Sequence, residues 1–146
     1  TGDIPLTLAQ TIPITGIVVV TTPQEVASNI AVKAFGMFQK LNIPIMGVIE
    51  NMSYFKCPNC NVNHYVFGKE GARKMAETHN LAFLGEIPLN PGIMEGSDSG
   101  RPVLVTDPNS TMSQSFMVVA KNVAAKCSVL ASQLSEEMKA EVATQK

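Results

Sequence analysis

The sequence predicts an α/β fold, a mainly parallel β-sheet flanked by helices, and three observations predict it. Short apolar runs rich in β-branched residues alternate with longer amphipathic segments, and strands joined by crossover helices lie parallel. The strand runs are apolar at nearly every position rather than at alternate ones, as suits strands covered on both faces. No apolar run approaches the ~20 residues that a membrane-spanning helix needs. A single domain is the simplest organisation for 146 residues, because one hydrophobic core serves a chain of that size.

The elements follow in order. "TGDIPLTLAQ" (1–10) reads as a loop, and "ITGIVVVT" (14–21) as the first strand. A helix then opens with Thr22 as N-cap, Pro23 at N1 and Glu25 at N3, the pattern of a capping box. Val26, Ile30, Ala34, Met37, Phe38 and Leu41 recur at helical steps and form its apolar face, and Asn42 ends it. "IPIMGVIE" (43–50) is the second strand, and a cysteine-bearing loop over 51–68 is inserted between it and the next helix. That helix, 69–80, turns Ala72, Met75 and Ala76 inward and has Asn80 as C-cap. "LAFLGEIPL" (81–89) is the third strand, stopped by Pro88. "NPGIMEGSDSGRP" (90–102) reads as a loop and "VLV" (103–105) as a short extended piece. A long helix begins near Ser113 with Phe116, Val119, Ala120, Val123, Cys127, Leu130 and Leu134 on one stripe. The domain is expected to span 1–135, leaving 136–146 as a polar, frayed tail. Three strands make a thin sheet for a fold that covers both faces and both edges. Further strands preceding Thr1 are therefore expected, and the chain reads as the C-terminal part of a larger α/β domain.

The formal net charge of −1 gives no electrostatic reason to expect nucleic acid or an anionic membrane as partner. The start lacks the basic and apolar regions of a secretory leader. Three cysteines, an odd number, argue against a disulfide framework and for a reducing compartment, by default the cytoplasm or an organelle interior.

Chemistry concentrates in "YFKCPNCNVNHYVF" (54–67). A CxxC pair sets two sulfurs on one side of a tight turn, and thiolates suit zinc and iron–sulfur clusters. Pro58 restricts the turn, and Asn61 tolerates a left-handed backbone after the second cysteine. Either centre takes four protein ligands, and this stretch supplies Cys57 and Cys60. His64 is a possible third, although without a second histidine at ligand spacing it reads first as a loop residue. Cys127 suits a buried structural thiol, and His79 near a helix C-terminus suits the helix dipole. A two-fold dimer would bring four thiolates together on its axis. A redox disulfide competes, but such pairs open a helix, whereas residues 61–67 read as extended; inert thiols are the third possibility. Glu50 and Asn51 stand where a buried strand ends, the place where open α/β sheets bind ligands, and "GEIPLNPG" (85–92) ends the next strand similarly. An asparagine amide both donates and accepts, so Asn51 can read a base edge; turn formation is its other reading. Neither GxxxxGK[ST] nor GxGxxG occurs, so a phosphate-cradling loop is not supplied by these residues.

Together, "TGD" (1–3), "VVVTTPQ" (18–24), "NIPI" (42–45), "GVIENMSYF" (47–55), "CPNC" (57–60), "FLGEIPL" (83–89) and "EGSDSG" (95–100) resemble the Mrp/ApbC family of iron–sulfur cluster carriers, a branch of the MinD/ParA-like P-loop ATPases. The resemblance runs from Thr1 to about Ala125, with "ENMSYFKCPNC" as its most specific part. It implies a three-layer P-loop NTPase fold and a homodimer. Each protomer would bind ATP with Mg²⁺, and a [4Fe–4S] cluster shared by the two CxxC pairs would be passed to apo iron–sulfur proteins. Carried across, Cys57 and Cys60 match the cluster ligands, Asn51 the asparagine on adenine, and Pro88 and Leu89 the loop whose backbone lies along the base. Asp3, with Thr1 and Gly2, matches the end of a catalytic switch loop. The Walker A loop, the Walker B aspartate and the Mg²⁺ ligands would precede residue 1, so this stretch alone is expected to be inactive as an ATP hydrolase. Met94 stands where the family suggests a basic residue, and Asn61 where glycine is common. Two other readings stay open: a zinc-bridged dimerisation module without a nucleotide role, and a partitioning or division-site ATPase. The second would be expected to lack the CxxC, and a membrane-targeting member would need a basic amphipathic helix.

Overall fold

The computed structural model describes residues 3–144, and side chains throughout that range except at 134 and 137–144. Thr1 and Gly2 of the expected switch loop lie outside the described residues, as does the side chain of Leu134 of the expected stripe. Among the described residues, no helix is long and apolar enough to cross a membrane.

The chain opens with helix α1 (Asp3–Thr11), where a loop was expected. Pro5 falls in the first turn, where no intrahelical N–H bond is lost. Strand β1 (Ile17–Thr21) follows, then α2 (Glu25–Lys40). The capping box does not form: the N-cap is Gln24, without a side-chain cap bond, and the buried Thr22 Oγ1 has no hydrogen-bond partner. Pro23 is buried with its carbonyl against Gly71, which keeps the segment extended until Glu25. The buried face of α2 is also not the expected one. Ser28 and Phe35 are buried, Ala31 and Val32 pack beside them, and Val26 and Ile30 are exposed. The helix carries two apolar stripes, each with one phenylalanine, and docking buried the one that bears Phe35 rather than Phe38.

Asn42 ends α2 as anticipated, and its geometry is a Schellman motif. Its φ is 55°, Asn42 N–H donates to Gln39 O, and Ile43 N–H donates to Phe38 O, both at 3.0 Å. Strand β2 (Ile45–Lys56) is 12 residues long, running six residues beyond the expected end. Strand β3 (Asn63–His64) folds back on it, so only part of the expected 51–68 loop is loop. Helix α3 (Gly71–Thr78) buries Ala72, Met75 and Ala76 as expected. Asn80 stands one residue past the C-cap, His79, with φ 54°, and repeats the Schellman pattern through Asn80 N–H to Glu77 O and Leu81 N–H to Ala76 O. Strand β4 (Phe83–Leu89) is the third long strand.

The 90–102 segment is not a loop, because α4 (Pro91–Asp98) occupies most of it. Asn90 caps it by accepting from Gly92 N–H at 2.8 Å, with Pro91 at N1, so two residues read as breakers are helix starters. The 103–105 piece is one helical turn, α5 (Val103–Thr106), rather than extended, and its Val103 is buried. Helix α6 (Thr111–Thr144) starts two residues early and carries the expected frayed tail as helical backbone to Thr144.

The sheet is mainly parallel. Strand β2 lies between β1 and β4, parallel to both, and only its far end pairs antiparallel with β3. Adjacent residues of β2 serve opposite faces. Val48 packs with Phe35, Ala72, Met75 and Ala76 under α2 and α3, while Ile49 packs with Leu84, Ile87 and Val119 under α6. The result is three layers, with the chemistry placed at the end of the central strand.

Candidate functional site

Beyond residue 50, β2 leaves the sheet interior and becomes one arm of a short hairpin. Phe55 pairs with His64 and Lys56 with Asn63, and Cys57 N–H closes the turn on Val62 O at 3.0 Å. Asn61 N–H donates to Cys57 O at 2.9 Å with a φ of 59°. At that left-handed position asparagine is the side chain that best replaces glycine. Tyr54 and Tyr65, 6.4 Å apart in edge-to-face contact, brace the hairpin, and Lys69 Nζ sits 5.3 Å over the Tyr65 ring.

Cys57 and Cys60 lie on the exposed tip as free thiols, Cys57 half-buried and Cys60 exposed. Their Sγ atoms and a ring nitrogen of His64 all lie within 4.8 Å of one another. The Cys57 thiol is held below the ordinary thiol range, first by the backbone N–H of Cys60, then by that of Asn59 and the side chain of Cys60. Backbone donors aimed at sulfur favour the thiolate, the form that binds metal. The pair joins two strands and opens no helix, unlike a redox CxxC. The sequence treated His64 chiefly as a loop residue; strand pairing, which spacing alone does not reveal, carries it to the cysteines.

The second group is at the inner end of β2. Glu50 was a candidate to face a ligand crevice, but it is 2 % exposed and its Oε2 accepts the Ala72 N–H at 2.8 Å. It caps α3 from inside the fold. Burial pushes its carboxyl above the ordinary value; the Ala72 N–H works against this, Glu86 adds to it, and Arg73 opposes it. No sequence pattern near α3 signals this cap, because the acceptor comes from 22 residues upstream.

Asn51, half-buried, turns the other way. Its Oδ1 accepts the Met52 N–H at 3.0 Å, which leaves its amide N–H groups to donate elsewhere. Asn51 stands within strand β2 and not in a turn. Asn51 pairs with Ile87, and Phe55 pairs with Leu89, so β2 carries two extra residues opposite Pro88. Met52, at φ 55°, begins this bulge. Proline has no N–H to offer a ladder, and a bulge is where a sheet accommodates that. Asn51, the buried Pro88 and the half-buried Leu89 therefore share one end of two neighbouring strands. Asp3 is exposed in the first turn of α1, and Met94 is exposed on α4. Cys127 Sγ lies 3.5 Å from Met46 Sδ, and the His79 ring packs edge-on to Phe35 at 5.2 Å.

Residues 1–124 match the family described as ParA, NUBPL iron-transfer P-loop NTPase. An iron–sulfur cluster transfer protein NUBPL from Dictyostelium discoideum is 45% identical over 123 residues, covering 84% of this chain and 38% of that protein. An iron–sulfur cluster carrier protein from Aquifex aeolicus is 46% identical over 121 residues, covering 83% and 33%. The chain thus spans between a third and two-fifths of the length of these relatives. A nucleotide-binding protein from Archaeoglobus fulgidus, solved in complex with ADP and with cobalt, superposes with a TM-score of 0.64 at 37% identity over 75% of this chain and 44% of its own. The cell-division ATPase MinD of Pyrococcus furiosus shares the fold, with a TM-score of 0.57 at 20% identity over 74% of this chain and 41% of its own.

Proposed function

Because the chain belongs to the NUBPL iron-transfer P-loop NTPase family, we propose that it is the cluster-holding and base-recognising portion of an iron–sulfur carrier ATPase. The cargo is a [4Fe–4S] cluster held by Cys57 and Cys60 of each protomer in a homodimer and delivered to apo iron–sulfur proteins, in the cytoplasm. The observation that carries this reading is the pair of free thiols on an exposed hairpin tip. One chain offers a cluster only half of its thiolates there, and exposure lets a second copy, or a recipient, approach.

ATP with Mg²⁺ is the proposed nucleotide. Asn51 uses its free amide N–H groups on the adenine edge, and the Pro88–Leu89 backbone lies along the base. The bulge supports that role, since it opens directly after Asn51 and opposite Pro88, which has no N–H to offer the ladder. Phosphoryl transfer depends on positioning and electrostatics around the phosphates, and the sequence has no phosphate-cradling GxxxxGK[ST] motif. This stretch alone is therefore proposed to be inactive in hydrolysis, with Asp3 contributing to a switch completed by other residues.

Reconstitution of the full-length protein with iron and sulfide tests the reading. Wild type is expected to gain the broad visible absorption of a cluster and to sediment as a dimer, and Cys57→Ser with Cys60→Ser to lose both iron and colour. Unchanged iron in the double variant would overturn the ligand assignment. A colourless zinc protein would favour the zinc-bridged module instead.

A further inference from the structure

We propose that His64 is a third metal donor, so that a single protomer holds one tetrahedral divalent ion on Cys57 Sγ, Cys60 Sγ and a ring nitrogen of His64. The proposal rests on the reading of Cys57 and Cys60 as metal ligands, and adds a donor that a four-thiolate dimer site does not use. The three donor atoms already lie within 4.8 Å of one another. Around zinc or ferrous iron, with sulfur at about 2.3 Å and nitrogen at about 2.0–2.1 Å, tetrahedral donors stand roughly 3.4–3.8 Å apart. Closing the site therefore takes about 1 Å of side-chain movement and no change of fold.

The backbone that sets this spacing is fixed from both sides. His64 is paired to Phe55 in the ladder, and Cys57 N–H is bonded to Val62 O, so cysteines and histidine belong to one closed hairpin. The two histidines of the chain also differ in what explains them. His79 packs its ring on Phe35. The His64 side chain is exposed and makes no hydrogen bond among the described residues, so packing does not account for its placement.

Charge favours the same arrangement. Two thiolates and a neutral imidazole on a divalent ion sum to zero, whereas four thiolates leave two negative charges on an exposed tip. Imidazole with thiolates also suits zinc, ferrous iron and cobalt alike. The fourth position of the one-chain site is open to water. On that one divalent ion, exchange of imidazole and water for two thiolates of a partner would change no oxidation state.

Cobalt(II) titration of the nucleotide-free, full-length protein tests this, read by the visible d–d bands of a tetrahedral site and by thiolate-to-cobalt charge transfer. Wild type is expected to saturate at one cobalt per chain while sedimenting as a monomer, with a paramagnetically shifted imidazole N–H resonance. His64→Ala should weaken cobalt at least about tenfold, since loss of even an outer partner of a ligand costs roughly 10–100-fold, and His64→Cys should restore it. Saturation at one cobalt per two chains, unchanged in His64→Ala, would overturn the proposal. The cysteine control separates the two readings. Cobalt lost in Cys57→Ser but not in His64→Ala removes His64 alone, while cobalt unchanged in both removes the metal reading as well.

Discussion

The two halves of β2 obey different rules. Residues 46–50 lie inside the sheet, all buried, with β1 on one side and β4 on the other. Residues 51–56 continue the same strand but are shielded by a bulge, two tyrosines and a two-residue partner strand. In the inner half a carboxylate, Glu50, is spent on fold, satisfying the N-terminus of α3. In the outer half Asn51 keeps its amide N–H groups available, and the hairpin tip just beyond it carries Cys57 and Cys60 as free thiols. A residue's chemistry is thus available only where the sheet has stopped using it.

The sharpest break between the halves is at the cysteines. Cys57→Ser with Cys60→Ser is expected to abolish iron retention while shifting unfolding free energy by no more than about 0.5 kcal/mol, as befits conservative changes outside the core; iron analysis and denaturant unfolding of the full-length protein check both. Gly71→Ala should do the reverse. A Cβ there collides with the Pro23 carbonyl and backbone, which cannot swing aside as a side chain tip would. The expected cost is about 1–3 kcal/mol, the range of overpacking, with the iron stoichiometry of the folded fraction unchanged.

Glu50→Ala leaves the buried Ala72 N–H without an acceptor and should cost about 1–3 kcal/mol, whereas Glu50→Gln keeps an oxygen in place and should cost much less. The pH dependence gives a finer test. Burial raises the Glu50 carboxyl in the folded chain, so in the window above the ordinary carboxylate value the folded state holds a proton that the unfolded state has released. The contribution is complete below the unfolded value and lost as pH rises through the raised one. Wild type should therefore lose stability across that window relative to Glu50→Gln; parallel pH profiles would contradict it. The smallest effect is expected from Asn51→Ala: roughly tenfold weaker ATP binding by the full-length protein, equivalent to one or two hydrogen bonds of about 1 kcal/mol, with little change in stability. A large loss of stability with unchanged ATP affinity would place Asn51 with Glu50 as part of the fold.

Much of this was legible from local pattern. The continuous apolar runs marked the three long strands, and the inward residues of α3 followed from helical spacing. Asn42 and Asn80 marked helix ends because an asparagine tolerates the left-handed conformation that a Schellman motif requires. Elements bounded by proline were less legible. The α1 and α4 segments read as loops, whereas Pro5 and Pro91 stand in first turns, where proline is compatible with helix.

By itself the sequence determined the mainly parallel α/β class, the family, and the CxxC as the candidate pair of metal ligands, because each depends on residue type at short spacing. Tertiary structure alone decided which stripe of α2 is buried, that Glu50 closes α3 rather than facing a ligand, and that His64 reaches the cysteines. Each of these depends on contacts made across the fold, which local spacing does not encode: a carboxylate 22 residues from its partner, and a histidine brought back by an antiparallel turn.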